Sequence, residues 1–115
     1  MRIGITSQNF RTITGHAGKT RRFLVYDGDP QTGQLKEAER IDLPKEQSLH
    51  EYQGGEPHPI ESFDILITAS CGQGFIGRMV AWGVELHVTS ESDPAKAAQA
   101  VVRGEPLLPP EPHQH

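Results

Sequence analysis

The sequence FDILITASCGQGFIGRMVAW, residues 63–82, contains the features that decide the fold. Residues 63–69 form the strongest apolar run of the chain, and their β-branched side chains are typical of a strand buried on both faces. A glycine-rich turn at residues 70–74 ends this run. Apolar side chains then recur at helical spacing, which predicts an amphipathic helix over residues 73–82.

The sequence on the C-terminal side adds a second strand and a second helix. Residues 84–89 alternate as expected for a strand. Asp93 suits a helix N-cap, Pro94 suits the first helical position, and Gly104 suits the C-cap, so we expect the helix to end near Arg103. Because a helix connects the two strands, we expect them to pair in parallel.

The sequence on the N-terminal side predicts antiparallel strands. Residues 1–6 form a short strand, residues 11–14 a second short strand, and residues 22–27 and 34–43 a hairpin with a long connection. Glycines and prolines in residues 44–62 predict an irregular crossover. The whole order predicts a single α/β domain with a mixed sheet, in which antiparallel N-terminal strands precede a parallel β-α-β-α part.

An RNase H-like architecture fits this strand order, which raises the hypothesis of a nuclease. Two-metal phosphoryl transfer requires carboxylates that converge on Mg²⁺, and the first strand contains none. Asp64 lies at the opposite end of its strand from such a site. The sequence therefore argues against nuclease activity.

Length and composition limit the protein class. A chain of 115 residues suffices for one domain, which we place at residues 1–104, with a proline-rich flexible tail at residues 105–115. The single cysteine excludes a disulfide within the chain. No apolar run reaches the ~20 residues of a membrane span, and the N-terminal residues lack the order of a signal peptide. We expect a cytoplasmic protein that does not bind membranes.

Charge is segregated along the chain. Residues 1–22 contain five basic and no acidic side chains, whereas the remainder contains six basic and 15 acidic side chains. The basic segment favours an anionic ligand, and Lys19, Arg21 and Arg22 are its candidate contacts. The acidic remainder opposes wrapping by nucleic acid, so we expect no nucleic-acid partner.

Cys71 lies in the turn after the carboxyl end of the buried strand, where open α/β sheets bind ligands. Backbone N–H groups at Gly72 and Gly74 and the positive helix end would favour its thiolate. Such a thiolate either ligates a soft metal or attacks an electrophile. A small residue that fills a tight turn is the structural alternative.

His16 is the strongest histidine candidate, because glycines flank it in the sequence GHAG and three cations follow. His50 and His58 lie in the irregular crossover, and His50 is the better candidate for a third metal ligand. We expect His87 to be a sheet-face residue. The tail histidines, His113 and His115, are expected to have no specific role.

Several segments resemble one known family at matched spacing. They are ITGHAGKTRRFLVYD (residues 13–27), DILITASCGQGF (residues 64–75), WGVEL (residues 82–86) and TSESDP (residues 89–94). Together they resemble the dinitrogenase iron-molybdenum cofactor biosynthesis family, which includes NifX/NafY-like cluster carriers and the C-terminal domain of NifB. The resemblance covers about residues 1–104.

The resemblance implies an RNase H-like fold that binds an iron–sulfur or iron–molybdenum cluster without catalysis and passes it to metallocofactor assembly proteins in nitrogen fixation. It places the cluster ligand on His16. Combined with the residue chemistry, it predicts metal ligation by His16, Cys71 and His50. The further cofactor contacts are Lys19, Arg21, Arg22, Gly72 and Gly74. We expect a monomer or a weak homodimer.

Two other functions remain open at this stage. One is a thiol-dependent enzyme acting on a small anionic substrate, with Cys71 as nucleophile and His16 or His50 as base. The other is a regulatory module that binds a protein partner through its acidic surface. A short distance between the thiol and a histidine would favour the enzyme.

Overall fold

The computed structural model describes residues 1–52 and 57–110. In this part of the chain five strands form one sheet, flanked by two α-helices and three short 3-10 turns. The elements are β1 (Arg2–Thr6), β2 (Arg22–Asp29), β3 (Gln34–Asp42), β4 (Ile65–Thr68), α1 (Gln73–Trp82), β5 (Glu85–Val88) and α2 (Pro94–Val102).

The strand order in the sheet is β3-β2-β1-β4-β5. β2 pairs antiparallel with both β1 and β3. β4 pairs in parallel with both β1 and β5. These pairings confirm the predicted α/β domain with a mixed sheet. The assignment to the RNase H-like group within this class stays a prediction.

Alternating side chains create one apolar core on each face of the sheet. On β2, Phe23 and Val25 point into the core covered by α1, whereas Leu24 points into the core covered by α2. We call these the α1 core and the α2 core. Phe75 and Met79 bring α1 into its core, and small buried residues bring α2 into the other. Because both faces of the sheet are covered, the central strand β4 is buried along its whole length.

The predicted strand at residues 11–14 is wrong. The Asn9 side chain accepts hydrogen bonds from the backbone N–H groups of Arg11 and Thr12, which folds this segment into a turn. The Ile13 N–H donates to Ser92 O at 2.9 Å instead of to a neighbouring strand. Ile13 is nevertheless buried in the α2 core, which explains its apolar character.

The crossover from β3 to β4 is irregular, as predicted, and it covers the α1 core. Two 3-10 turns, Lys45–Gln47 and Pro59–Ser62, lie in it. Leu49 and Ile60 are buried against the core beneath. The crossover is therefore a packed layer of the domain, and this packing fixes the position of the residues it carries.

Residues 105–110 form no helix or strand, but they are attached to the domain. The Thr89 hydroxyl donates to Leu108 O at 2.6 Å, and the Ser90 N–H donates to Pro109 O at 3.2 Å. The sequence analysis did not predict this attachment. Residues 111–115, which include His113 and His115, lie outside the described part.

Neither α-helix is long enough to cross a membrane. α1 has ten residues and α2 has nine, whereas a membrane span needs about 20. Residues 1–52 and 57–110 thus contain no helix of sufficient length and apolarity. The cytoplasmic location stays a prediction.

Two glycines test the packing of the sheet and of α1. A Cβ at Gly4 would overlap the buried Phe63 ring, so we expect Gly4→Ala to lower the free energy of unfolding by about 1–3 kcal/mol. A Cβ at Gly77 of α1 would meet open space, so Gly77→Ala should raise it by about 0.5–1 kcal/mol. Urea denaturation measures both, and equal effects of the two substitutions would contradict this packing.

Candidate functional site

A pocket of about 420 Å³ opens where β1 and β4 end and α1 begins. Its walls come from the loop between β1 and β2, from the crossover, and from the turn before α1. The lining residues are His16, Ala17, Gly18, Lys19, His50, Ser70, Cys71, Gly72 and Phe75. The fold thus unites three segments that are far apart in sequence.

Two buried threonines join the strand ends beneath this pocket. Thr6 and Thr68 are the last residues of β1 and β4, and their hydroxyl oxygens lie 2.8 Å apart. The Thr6 hydroxyl donates to Thr14 O at 2.6 Å. The same Thr14 carbonyl accepts the Ala69 N–H at 3.2 Å. These bonds attach the β1–β2 loop to the end of β4.

His16 is exposed at the pocket and has a left-handed backbone, with φ 55° and ψ 53°. Its N–H donates to the Ser70 hydroxyl at 2.9 Å, and the next N–H, of Ala17, donates to Ser70 O at 3.1 Å. A left-handed histidine is uncommon, so these two bonds hold a conformation that the chain alone disfavours. The backbone of His16 is thereby anchored while its imidazole remains accessible.

The two glycines near His16 have different roles. A Cβ at Gly15 would overlap the Ser70 hydroxyl oxygen, so glycine is required there for close approach. A Cβ at Gly18 would meet no atom within 4 Å. In this loop His16 itself, and neither of these glycines, adopts the left-handed conformation.

His50 reaches the pocket because its backbone is attached to the histidine loop. The His50 N–H donates to Gly18 O at 2.6 Å, and the side chain is exposed. His50 therefore lines the same pocket as His16 and Cys71. Its role as a ligand stays a prediction.

The pKa of the Cys71 thiol is shifted in the direction opposite to the one expected from the sequence. Burial raises the pKa of Cys71, whereas the position before a helix predicts a lowered pKa. No hydrogen bond between this thiol and a histidine is present in the described part of the chain. Neither observation favours the thiol-dependent enzyme, because a nucleophilic cysteine needs a thiolate and a neighbouring base.

The three predicted metal ligands share a pocket without forming a site for one ion. Among the described residues, no group of three or more His, Cys, Asp or Glu side chains is arranged to hold a metal ion. A compact site made by His16, Cys71 and His50 around one ion is therefore not present. Ligation of a larger cluster by these residues stays a prediction.

The three predicted basic contacts lie in different places. Lys19 lines the pocket, and Arg21 lines a groove beside it. Arg22 points elsewhere, because its Nε lies 3.4 Å from Asp42 Oδ1 and its Nη1 donates to Gln8 O at 3.0 Å. Of the two predicted glycine contacts, Gly72 lines the pocket.

Gly74 lies outside the pocket lining, one residue inside α1, which begins at Gln73. Its contact with a cofactor stays a prediction. Gly72 is the N-cap of the same helix.

His58 is a structural histidine. It is 3% exposed, its Nδ1 accepts from the Ile60 N–H at 3.2 Å, and its Nε2 lies 2.9 Å from Gln47 O. Its ring stacks on Trp82 at 6.0 Å. This arrangement uses both ring nitrogens and leaves none for a ligand.

Three residues of the site, Thr6, Thr68 and Ser70, were not predicted from the sequence. Thr6 and Thr68 could have been found from the sequence, because each is the last residue of a strand and the two strands were expected to end on the same side of the sheet. Ser70 carried no signal of its own, because its importance comes from bonds to a loop 54 residues away.

Comparison with known proteins finds a family that matches the chain and solved structures that share its fold. The family model described as dinitrogenase iron-molybdenum cofactor matches residues 1–104. No curated protein sequence matches the chain.

Three solved structures share the fold at 15–16% identity. A protein of Methanocaldococcus jannaschii proposed to be a dinitrogenase has TM-score 0.66 and 15% identity, over 91% of this chain and 90% of its own. A proposed NifB protein of Thermotoga has TM-score 0.61 and 16% identity, over 99% and 97%. The protein PH0822 has TM-score 0.68 and 16% identity, over 94% of each chain.

The contact between Gly15 and Ser70 can be tested directly. In Gly15→Ala the Ser70 hydroxyl must move, so the His16 N–H loses its partner and the free energy of unfolding should fall by about 1–2 kcal/mol. Gly18→Ala is the matched control, with an expected change within about 0.5 kcal/mol. Urea denaturation and the backbone amide spectrum of residues 14–20 measure the effect, and an unchanged spectrum in Gly15→Ala would contradict it.

We also expect a pH dependence of stability that arises from His58. Burial, the largest cause, and the Arg78 charge lower the pKa of His58 below its ordinary value, against the opposing effects of Gln47 O and Glu61. The unfolded chain therefore binds this proton at higher pH than the folded chain does. Stability should fall as the pH decreases below about 6.5 and should level off below the folded pKa.

Urea denaturation between pH 8 and pH 5 measures this effect. His58→Gln is expected to be less stable at neutral pH but to lose less stability on acidification than the parent protein. His87→Gln is the control, since His87 is partly exposed and pairs with Glu85 at the sheet edge. Parallel pH profiles for the parent and His58→Gln would exclude His58 as the source.

Proposed function

The chain belongs to the dinitrogenase iron-molybdenum cofactor family, and from this we propose that it binds an iron–sulfur or iron–molybdenum cluster and carries it between assembly proteins without catalysis. Family membership indicates a role in the biosynthesis of this cofactor. Carriage is the more specific step, and it is supported by the geometry of the pocket.

The accessible His16 imidazole is the observation that carries the proposal. The backbone is fixed by two bonds to Ser70, while the side chain is exposed at a pocket that also contains Cys71. Imidazole and thiolate are suitable ligands for iron and for clusters. The cluster is the cargo, and the protein supplies attachment points at its periphery.

A small number of attachments suits transfer. No described group of three ligands forms a closed cage, so the cluster keeps surface that a receiving protein can ligate. Cys71 must lose its proton to ligate, and burial raises its pKa, so this attachment costs more at neutral pH than ligation by a neutral imidazole. We propose His16 as the primary ligand and Cys71 as a weaker second one.

Charge supports the same cargo. Lys19 lines the pocket and Arg21 the adjacent groove, and neither forms an ion pair with another described residue. Cluster cores with bound sulfides and thiolates are commonly anionic, and unpaired cations at the mouth of a pocket attract anions. His50 lies between these two places and would contact the cargo from the crossover side.

The partners in this proposal are proteins that donate or receive the cluster. The pocket is open to solvent, so a partner can reach the cargo without unfolding of the carrier. A monomer or weak homodimer in the cytoplasm suits this function and stays a prediction. Nucleic acid has no part in it.

Anaerobic titration of the purified protein with isolated iron–molybdenum cofactor tests the proposal. We expect saturable binding with a change in the visible spectrum. His16→Asn should weaken binding at least tenfold, because asparagine tolerates the left-handed backbone but lacks the imidazole. Cys71→Ala should weaken it by a smaller factor.

His87→Asn is the matched control, since it removes a histidine on the sheet edge, outside the pocket lining. Its binding should equal that of the parent protein. Amide spectra of the unloaded variants verify that each is folded. If His16→Asn and Cys71→Ala both bind the cofactor as tightly as the parent does, the pocket is not the cluster site.

A further inference from the structure

A second concave site lies beside the His16 pocket. It is a groove of about 450 Å³ between the β1–β2 loop and the crossover. We call it the basic groove, and its lining residues are Lys19, Arg21, Lys45, Ser48, His50 and Glu51. Lys19 and His50 line both sites, so the groove and the His16 pocket are continuous.

The basic groove collects cations that have no carboxylate partner. Most described arginines and lysines elsewhere are engaged, such as Arg2 with Glu39 at 3.4 Å or Arg78 over aromatic rings. By contrast, Lys19, Arg21 and Lys45 form no ion pair with any described residue. Glu51 lines the same groove, which leaves a formal charge of +2.

Backbone hydrogen bonds hold these cations on one surface. The Leu43 N–H donates to Arg21 O at 2.8 Å, and the His50 N–H donates to Gly18 O at 2.6 Å. These two bonds attach both ends of the 43–50 segment, which carries Lys45, to the segment that carries Lys19 and Arg21. The folded chain has therefore already paid the entropic cost of bringing the charges together.

Ser48 adds a polar group to the lining of the groove. It is 4% exposed, and its hydroxyl makes no hydrogen bond within residues 1–52 and 57–110. An anion in the groove would accept a hydrogen bond from it.

We infer that the basic groove binds a small oxyanion with more than one negative charge, a polycarboxylate or a phosphate. The formal charge of +2 in the groove matches a divalent anion, and a monovalent anion would leave part of this charge uncompensated. A polymer such as nucleic acid is disfavoured, because the basic surface is short and the rest of the chain is acidic. This inference needs no cluster in the neighbouring pocket.

Titration of the cluster-free protein with citrate, inorganic phosphate and acetate tests it. At about 20 mM salt, citrate or phosphate should bind saturably and shift the amide signals of Lys19, Arg21, Lys45 and Ser48. Acetate should bind at least tenfold more weakly. A stronger response to citrate identifies a polycarboxylate as the ligand, and a stronger response to phosphate identifies a phosphate.

Two matched double variants distinguish binding at the basic groove from nonspecific attraction of anions to positive charge on the protein. Arg21→Gln with Lys45→Gln should weaken binding at least tenfold, and both residues lie outside the lining of the His16 pocket. Lys36→Gln with Arg103→Gln removes the same charge from exposed positions elsewhere and should leave binding unchanged. Equal weakening by both pairs, or no saturable binding of citrate or phosphate, would overturn the inference.

The outcome is separable from that of the cofactor titration. Oxyanion binding that depends on Arg21 and Lys45 supports the groove even if the protein binds no cluster. Conversely, cofactor binding that depends on His16 leaves the cluster proposal standing even if neither oxyanion binds.

Discussion

Two hydrogen bonds to Ser70 support the whole candidate site. Its hydroxyl accepts the His16 N–H at 2.9 Å, and its carbonyl accepts the Ala17 N–H at 3.1 Å. They join the loop after β1 to the turn after β4, and so place His16 beside Cys71. They also hold His16 in a left-handed conformation, which costs roughly 1–3 kcal/mol for residues other than glycine. Close packing at Gly15 makes these bonds possible.

Parallel pairing of β1 with β4 explains why these loops meet. The carboxyl ends of parallel neighbours lie at one edge of a sheet, and the loops that leave them emerge together. Thr6 and Thr68 occupy the two final positions, and their hydroxyls donate to the loop carbonyls Thr14 O and Ser70 O. The antiparallel hairpin then returns the chain on the other side of β1. The accessible His16 imidazole therefore lies at the carboxyl ends of two inner strands of the sheet.

Sequence reasoning succeeded where local pattern and local structure have the same cause. α1 was predicted at residues 73–82 because an amphipathic period reflects the one face that it buries. The strand predicted at residues 11–14 is wrong because a short alternating pattern does not specify which strand it pairs with. The Asn9 side chain instead stabilises a turn there. The family resemblance and the residue chemistry together predicted a common site for His16 and Cys71, and the parallel pairing of β1 with β4 explains why the two residues line one pocket. The Ser70 bonds and the raised pKa of Cys71 depend on tertiary contacts, which no local pattern encodes.

The charge distribution illustrates the same limit. Five cations in residues 1–22 indicated a basic surface. In the fold, Arg2 and Arg22 pair with carboxylates on β3, so they contribute little to an anion's field. Arg11, Lys19 and Arg21 form no ion pair among the described residues, but only Lys19 and Arg21 line the basic groove. Lys45 joins these two from a segment that the sequence count had assigned to the acidic part. The attractive surface is therefore defined by which unpaired cations the fold brings together, and the position of charges along the chain identifies only some of them.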